Sequence, residues 1–254
     1  MKIDLNCDTG ESFGVYSLGE DAAVMPLVTS VNIACGFHAS DASNIWKAVK
    51  LAKQYGVAIG AHPSFPDLVG FGRRVMNATF EEIKADIIYQ VGAVDAFCKA
   101  EGLSLQHVKA HGALYNIAEK DLQVALAISE GIKAVDENLI MVCMSNSAMV
   151  EAAKQTKLRY VEEFFADRAY TDEGRLVSRK EQGAVIHDVA EVSRRVLKMV
   201  KENKVTSING KEVDISAQTI CVHGDTLGAV EMIKCICENL AAENIALESF
   251  GKWL

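Results

Sequence analysis

"VNIACGFHASD" (residues 31–41) opens as an apolar run and closes on Gly36, His38 and Asp41. The first half reads as a buried strand, yet packing alone asks for neither an imidazole nor a carboxylate directly after it. The same ending recurs. Apolar runs at residues 2–6, 30–35, 57–61, 106–110, 139–144, 159–164 and 218–222 all lead into polar groups. Asn6, Asp8 and Glu11 follow the first run, His62 the third, and His111 and Asn116 the fourth. Ser145 and Asn146 follow the fifth, Asp167 and Arg168 the sixth, and His223-Gly224-Asp225 the last.

Between these runs lie segments with helical spacing. Phe80, Ile83, Ile87, Val91 and Val94 step by three or four behind a capping box at Thr79 and Glu82. Val189, Val192, Val196 and Met199 repeat the pattern, as do Val230, Ile233, Cys237 and Leu240. Alternating strands and helices imply parallel strands joined by right-handed crossovers. An open doubly wound sheet gathers its polar residues near one switch point, whereas here they follow almost every strand, which favours a barrel. The expectation is one α/β domain over residues 1–254, a parallel β/α barrel of seven strands, with residues 244–250 a weak eighth. Residues 205–208 and 211–215, flanking Asn209-Gly210, read as a β-hairpin with a type I′ turn outside the barrel. In such a barrel the strand ends share one face, so His38, His62, His111 and His223 converge, while His107 and His187 fall to surface roles.

Composition narrows the function. The 254 residues are 50% hydrophobic and 24% charged, which suits a sizeable core. A formal net charge of −8 without a basic run argues against a nucleic-acid partner. The start, MKIDLNCDTGE, carries neither a leader nor a span, so no membrane partner and a cytoplasmic location are expected. The seven cysteines form no C-x-x-C pair and read as buried free thiols, including Cys7 and Cys35 near the strand ends.

Mixed imidazoles and carboxylates on one rim serve either acid–base work on water or metal binding. No Walker loop, G-x-G-x-x-G, G-x-S-x-G or H-E-x-x-H occurs. A divalent metal remains open, with Asp8, His62 and His111 as its ligands if present. Two long loops flank the rim. Residues 62–74, "HPSFPDLVGFGRR", carry Arg73 and Arg74; residues 167–179, "DRAYTDEGRLVSR", carry Arg168, Tyr170 and Arg179. Cationic loops over a histidine-rich rim point to a small anionic substrate.

"DLNCDTGES", "VNIACGFHASD", "GAHPSFPDLVGFGRR", "VKAHGALYN", "FADRAYTDEGRLVSR" and "CVHGD" together resemble the LamB/YcsF family, that of the 5-oxoprolinase A subunit. The resemblance implies an incomplete seven-stranded barrel similar to the metal-dependent polysaccharide deacetylases, a glycoside hydrolase/deacetylase-like fold. It also implies ATP-dependent hydrolysis of 5-oxo-L-proline (pyroglutamate) to L-glutamate, performed with two partner subunits, B and C. Two positions depart from the family pattern: Ser40 stands in place of a glycine and Ala110 in place of a proline. On this reading Asp8, His38, His62, His111 and Asp225 form the catalytic set, with Asp8 and His62 or His111 activating water and His38 and Asp225 serving the leaving nitrogen. Glu11, Arg73, Lys109, Asn116, Asp167, Arg168, Tyr170, Arg179 and His223 would bind substrate or phosphate. Asp41 suits a helix cap as well as it suits catalysis. ATP is expected in the complex, and homo-oligomerisation is left open. The alternatives are a metal-dependent amide or carbohydrate deacylase and a non-catalytic substrate-binding subunit.

Overall fold

Alternation along the first strand organises the molecule. In the computed structural model, which describes residues 1–224 and 228–254, β1 (Lys2–Thr9) is buried from Ile3 onward. Successive side chains of a strand point to opposite faces. Ile3, Leu5 and Cys7 join the main apolar cluster with the surrounding helices, while Asp4, Asn6 and Asp8 make hydrogen bonds to residues of other strands.

The parallel ring runs β1, β2 (Ser30–Ala34), β3 (Ala58–His62), β4 (His107–Val108), β5 (Ile140–Met144), β6 (Arg159–Phe165) and β9 (Thr219–Cys221). It closes because β9 pairs with both β6 and β1, Ile220 lying opposite Phe164 on one side and Leu5 on the other. The ring therefore has seven strands among the described residues, as expected from the sequence. The weak eighth run becomes β10 (Ala246–Leu247), which pairs only with the first residues of β1.

Around the ring lie α1 (Asp21–Val24), α2 (Ala42–Tyr55), α3 (Phe80–Ala100), α4 (Gly112–Ala118), α5 (Leu122–Val135), α6 (Ala148–Thr156), α7 (Val189–Glu202) and α8 (Ala229–Ala242). Both halves of the Thr79–Glu82 capping box form at the start of α3. The excursion is a hairpin of β7 (Lys204–Thr206) and β8 (Glu212–Asp214), but its turn is not type I′. Gly210 donates to the Ser207 carbonyl and alone of the turn pair takes a positive φ, +85°, which gives a longer loop than Asn-Gly suggested.

The lumen divides in two. Ile140, Val142 and Val161 pack on Phe250, whose ring also lies edge-on to His107 with centroids 5.1 Å apart. Across from them the lumen is polar: Asp4, Asn6, Ser30, Asn32, His107, Glu163 and Thr219 are all at most 1% exposed. His107 is therefore not a surface residue, as its position at a strand start suggested. Its Nε2 lies 2.8 Å from Asn32 Oδ1, reaching across Gly60, its partner in the β3–β4 register. A Cβ at Gly60 would lie 2.1 Å from that nitrogen, so only glycine leaves room for the ring.

At the lower end Asp4 accepts hydroxyl donors from Thr29, Ser30 and Thr219. Burial outweighs these bonds and raises its pKa to about 6. Between about pH 4 and pH 6 the folded protein keeps a proton that the unfolded chain, with its carboxylate near the ordinary value, gives up. Stability contributed by the protonated form is thus complete below pH 4 and falls as pH rises, by roughly 2–3 kcal/mol. Asp4→Asn, which cannot ionise, should flatten this fall in urea unfolding at pH 4 and pH 6.5. Parallel pH dependences for variant and parent would show that Asp4 titrates normally.

Candidate active site

Two left-handed residues fold the end of β2 into the barrel mouth. Gly36 has φ +93° and donates to the Ala39 carbonyl, and Ser40 has φ +74°. His38 is thereby brought to 0% exposure. Asp41 is the helix cap rather than a rim acid: its carboxylate accepts from the backbone of Ser43, Asn44 and Gly14. Ser40 takes no part in that cap and occupies a conformation that favours glycine.

His62 ends β3 and His111 precedes α4. Nδ1 of His62 lies 2.7 Å from the Lys109 carbonyl, and Nε2 of His111 lies 2.9 Å from the Phe71 carbonyl. A carbonyl only accepts, so each of these nitrogens carries a hydrogen. The other two nitrogens, His62 Nε2 and His111 Nδ1, face each other at 3.0 Å. Two lone pairs cannot bond; the pair needs a proton or a cation between them. Asp8 Oδ2 stands 3.4 Å from the same His62 nitrogen.

His38 stacks on His111 with centroids 3.9 Å apart and planes 9° from parallel. Both its ring nitrogens are buried and lack a hydrogen-bond partner among the described residues. Burial, then the neighbouring imidazoles, push the pKa values of His38 and His111 well below the usual histidine range, so both rings are neutral at pH 7.

Beneath the histidines Lys109 is 2% exposed, with its ammonium 3.0 Å from Asp8 and 2.9 Å from Glu163. Burial alone would raise the Asp8 pKa, but His62 and Lys109 hold it well below the ordinary carboxylate range. Burial would likewise lower the Lys109 pKa; Asp8, Cys221 and Glu163 reverse this and hold it high. Asn32 donates to Asp8, and the Tyr115 hydroxyl donates to Glu163. Across the mouth His223 Nδ1 is 2.8 Å from Asp167, and its ring stacks on Phe165.

The loop after β3 is tied over this mouth. Ser64 exchanges two hydrogen bonds with the Gln90 side chain of α3, and the His111 amide donates to the Pro63 carbonyl. Asp67 binds Arg74 and the Gly70 amide. Gly72, at φ +64°, touches the cluster: a Cβ there would lie 2.3 Å from Ser64 Oγ and 2.9 Å from His111 and His38.

The structure thus gathers Asp8, Glu11, His38, His62, Lys109, His111, Asp167 and His223 at one mouth. Arg73 is exposed beside it, its guanidinium 4.9 Å above the Phe71 ring. Other predicted residues are elsewhere. Arg168 is committed to the carbonyls of Ala184 and Val177, and Tyr170 accepts from the Phe165 amide beneath the loop. Arg179 is exposed, and Asn116 lies in a shallow surface groove with Lys120 and Gln123. Asp225 lies outside the described residues. Sequence reading missed Glu163, Asn32 and Tyr115; the one available signal was a charge inside the apolar run "VEEFF".

The LamB/YcsF family model matches residues 3–254. A Campylobacter jejuni protein that bears the name of the 5-oxoprolinase A subunit is 58% identical over 253 residues, covering 98% of this chain and 99% of the relative. A Clostridium beijerinckii protein of the same name is 54% identical over 246 residues, covering 97% and 96%. The crystal structure of a lactam utilization protein from Thermus thermophilus superposes with a TM-score of 0.94 at 47% identity, covering 98% of this chain and 100% of that one.

Proposed function

Because the chain belongs to the LamB/YcsF family, we propose that it is the catalytic subunit of an ATP-dependent 5-oxoprolinase, a cytoplasmic enzyme hydrolysing 5-oxo-L-proline to L-glutamate with subunits B and C. The observation that carries this reading is the contact chain Asp8–His62–His111, a carboxylate held ionised beside two imidazoles at a barrel mouth.

A lactam carbonyl resists water, and its opening near neutral pH is unfavourable without coupling. Phosphorylation of the carbonyl oxygen turns that oxygen into a leaving group. The sequence holds no Walker loop, so the partner subunits supply the nucleotide chemistry. This chain then handles water and protons. Asp8 and His62 take the proton of the attacking water, the Lys109 carbonyl having fixed the His62 ring. That proton passes along the 3.0 Å contact to His111 and on to the ring nitrogen as its bond to carbon breaks, leaving an acyl phosphate from which a second water releases inorganic phosphate and L-glutamate. His38, neutral and stacked on His111, closes the wall of the pocket.

Arg73 receives the substrate carboxylate or the phosphoryl group. Lys109 and Arg168 are buried, whereas the Arg73 guanidinium is exposed at the mouth above the Phe71 ring, where an anionic group can reach it. Glutamate release from 5-oxoproline, assayed with and without ATP and each partner, tests the assignment. Product is expected only from the complete mixture; none there overturns it. A metal-dependent deacylase is the second reading, favoured by the four donors gathered at His38. It predicts amide or ester cleavage by this chain alone, without ATP.

A further inference from the structure

The buried imidazole cluster leaves an electrostatic question that hydrogen bonding within the protein does not answer. His62 and His111 each donate from one ring nitrogen to a backbone carbonyl, which turns their remaining lone pairs on one another at 3.0 Å. His38 is fully buried with neither ring nitrogen partnered among the described residues. A buried polar group without a partner costs about 1–3 kcal/mol, so lone pairs converging on one point favour a ligand that accepts them.

We propose that Glu11, His38, His62 and His111 bind a divalent transition-metal ion. One donor atom from each lies within 4.8 Å of every other; the His38 ring, stacked parallel to His111, must turn to aim a nitrogen at the ion before bonds of about 2.0–2.2 Å can form. Three imidazoles and one carboxylate suit zinc, manganese, iron, cobalt or nickel, and imidazole nitrogens select against calcium and magnesium. The carbonyls of Lys109 and Phe71 serve as the outer partners that metal-bound histidines ordinarily have, fixing which nitrogen faces the ion. The loop after β3 supplies one of those carbonyls and seats Gly72 against both His38 and His111, so it holds the donors in register.

The donor set differs from the Asp8, His62 and His111 suggested by sequence. Asp8 gives one oxygen to Lys109 and Asn32 and holds the other 3.4 Å from His62, and its donor distances group it with Cys221 and His223 rather than with the four. Glu11 and His38 take its place. Ion binding and the proton path between His62 and His111 use the same two nitrogens and exclude one another, so uptake of an ion would remove that path; the donor set itself stands whichever activity the chain has.

The test is Co²⁺ titration of the full chain after chelator treatment, followed by visible absorption and by calorimetry. One equivalent is expected, with ligand-field bands of an N/O site and a rise in Tm. His38→Ala and Glu11→Gln should each weaken binding by at least about tenfold, while Asp8→Asn should leave stoichiometry and spectrum unchanged. Circular dichroism of each metal-free variant checks that it is folded, and any variant that is not gives way to His38→Gln or Glu11→Ala. Absence of Co²⁺ and Zn²⁺ uptake by the parent, or binding unaltered in folded His38 and Glu11 variants, overturns the proposal.

Discussion

Replacing Lys109 with methionine is expected to cost the protein about 3–5 kcal/mol, a large part of the roughly 5–15 kcal/mol that holds a typical domain together. Methionine fills the space but strands Asp8 and Glu163, whose oxygens lie 3.0 and 2.9 Å from the ammonium it replaces. Glu163 is fully buried and cannot be resolvated without opening the barrel, while Asp8 keeps only a narrow exposure at the mouth. The folded variant escapes only by taking up protons, which removes the ionised Asp8 on which water activation depends. Guanidinium unfolding at pH 7 measures the first effect and glutamate release the second. Adding Glu163→Gln removes one stranded charge and should recover part of the lost stability. A Lys109→Met protein within about 0.5 kcal/mol of the parent would mean that the buried ion cluster is not what stabilises the lumen.

His111→Ala is expected to lower coupled turnover by about 10²–10⁴-fold while the protein stays folded. The imidazole is the far end of the Asp8–His62 contact chain and the face on which His38 stacks. Its structural share is smaller. Loss of the ring leaves the Phe71 carbonyl without that donor, a cost of about 1 kcal/mol, and α4 keeps its backbone contacts. Steady-state glutamate release with saturating ATP and partner subunits reads the chemistry, and a thermal melt reads the fold. Turnover at the parent's rate would remove His111 from the proton path.

The barrel was legible in the sequence because the same grammar recurs seven times, an apolar run followed by polar residues. Convergence of His38, His62, His111 and His223 followed from that repetition. What sequence could not supply was sidedness inside the strands. His107 belongs to a strand of only two residues, too short to show alternation, and its place in the lumen depends on Gly60, which stands between it and Asn32 in register. Glu162 and Glu163 are adjacent and chemically identical, yet one meets Ser145 at the rim and the other Lys109 inside. Only the register of β6 decides between them. Arg168 misled for a different reason: a guanidinium in a polar loop satisfies backbone carbonyls as readily as it binds an anion.

β1 is written in two interleaved alphabets. Ile3, Leu5 and Cys7 answer to the helices outside, where shape and volume matter and one aliphatic group can stand in for another. Asp4, Asn6 and Asp8 answer to one another and to the strands opposite, where a change of one atom alters who donates and who accepts. Neighbouring residues of a single strand are therefore held by unrelated physics. The chain can drift in the first alphabet without the second noticing, and a barrel of this kind can renew its outer core while its interior chemistry stays fixed.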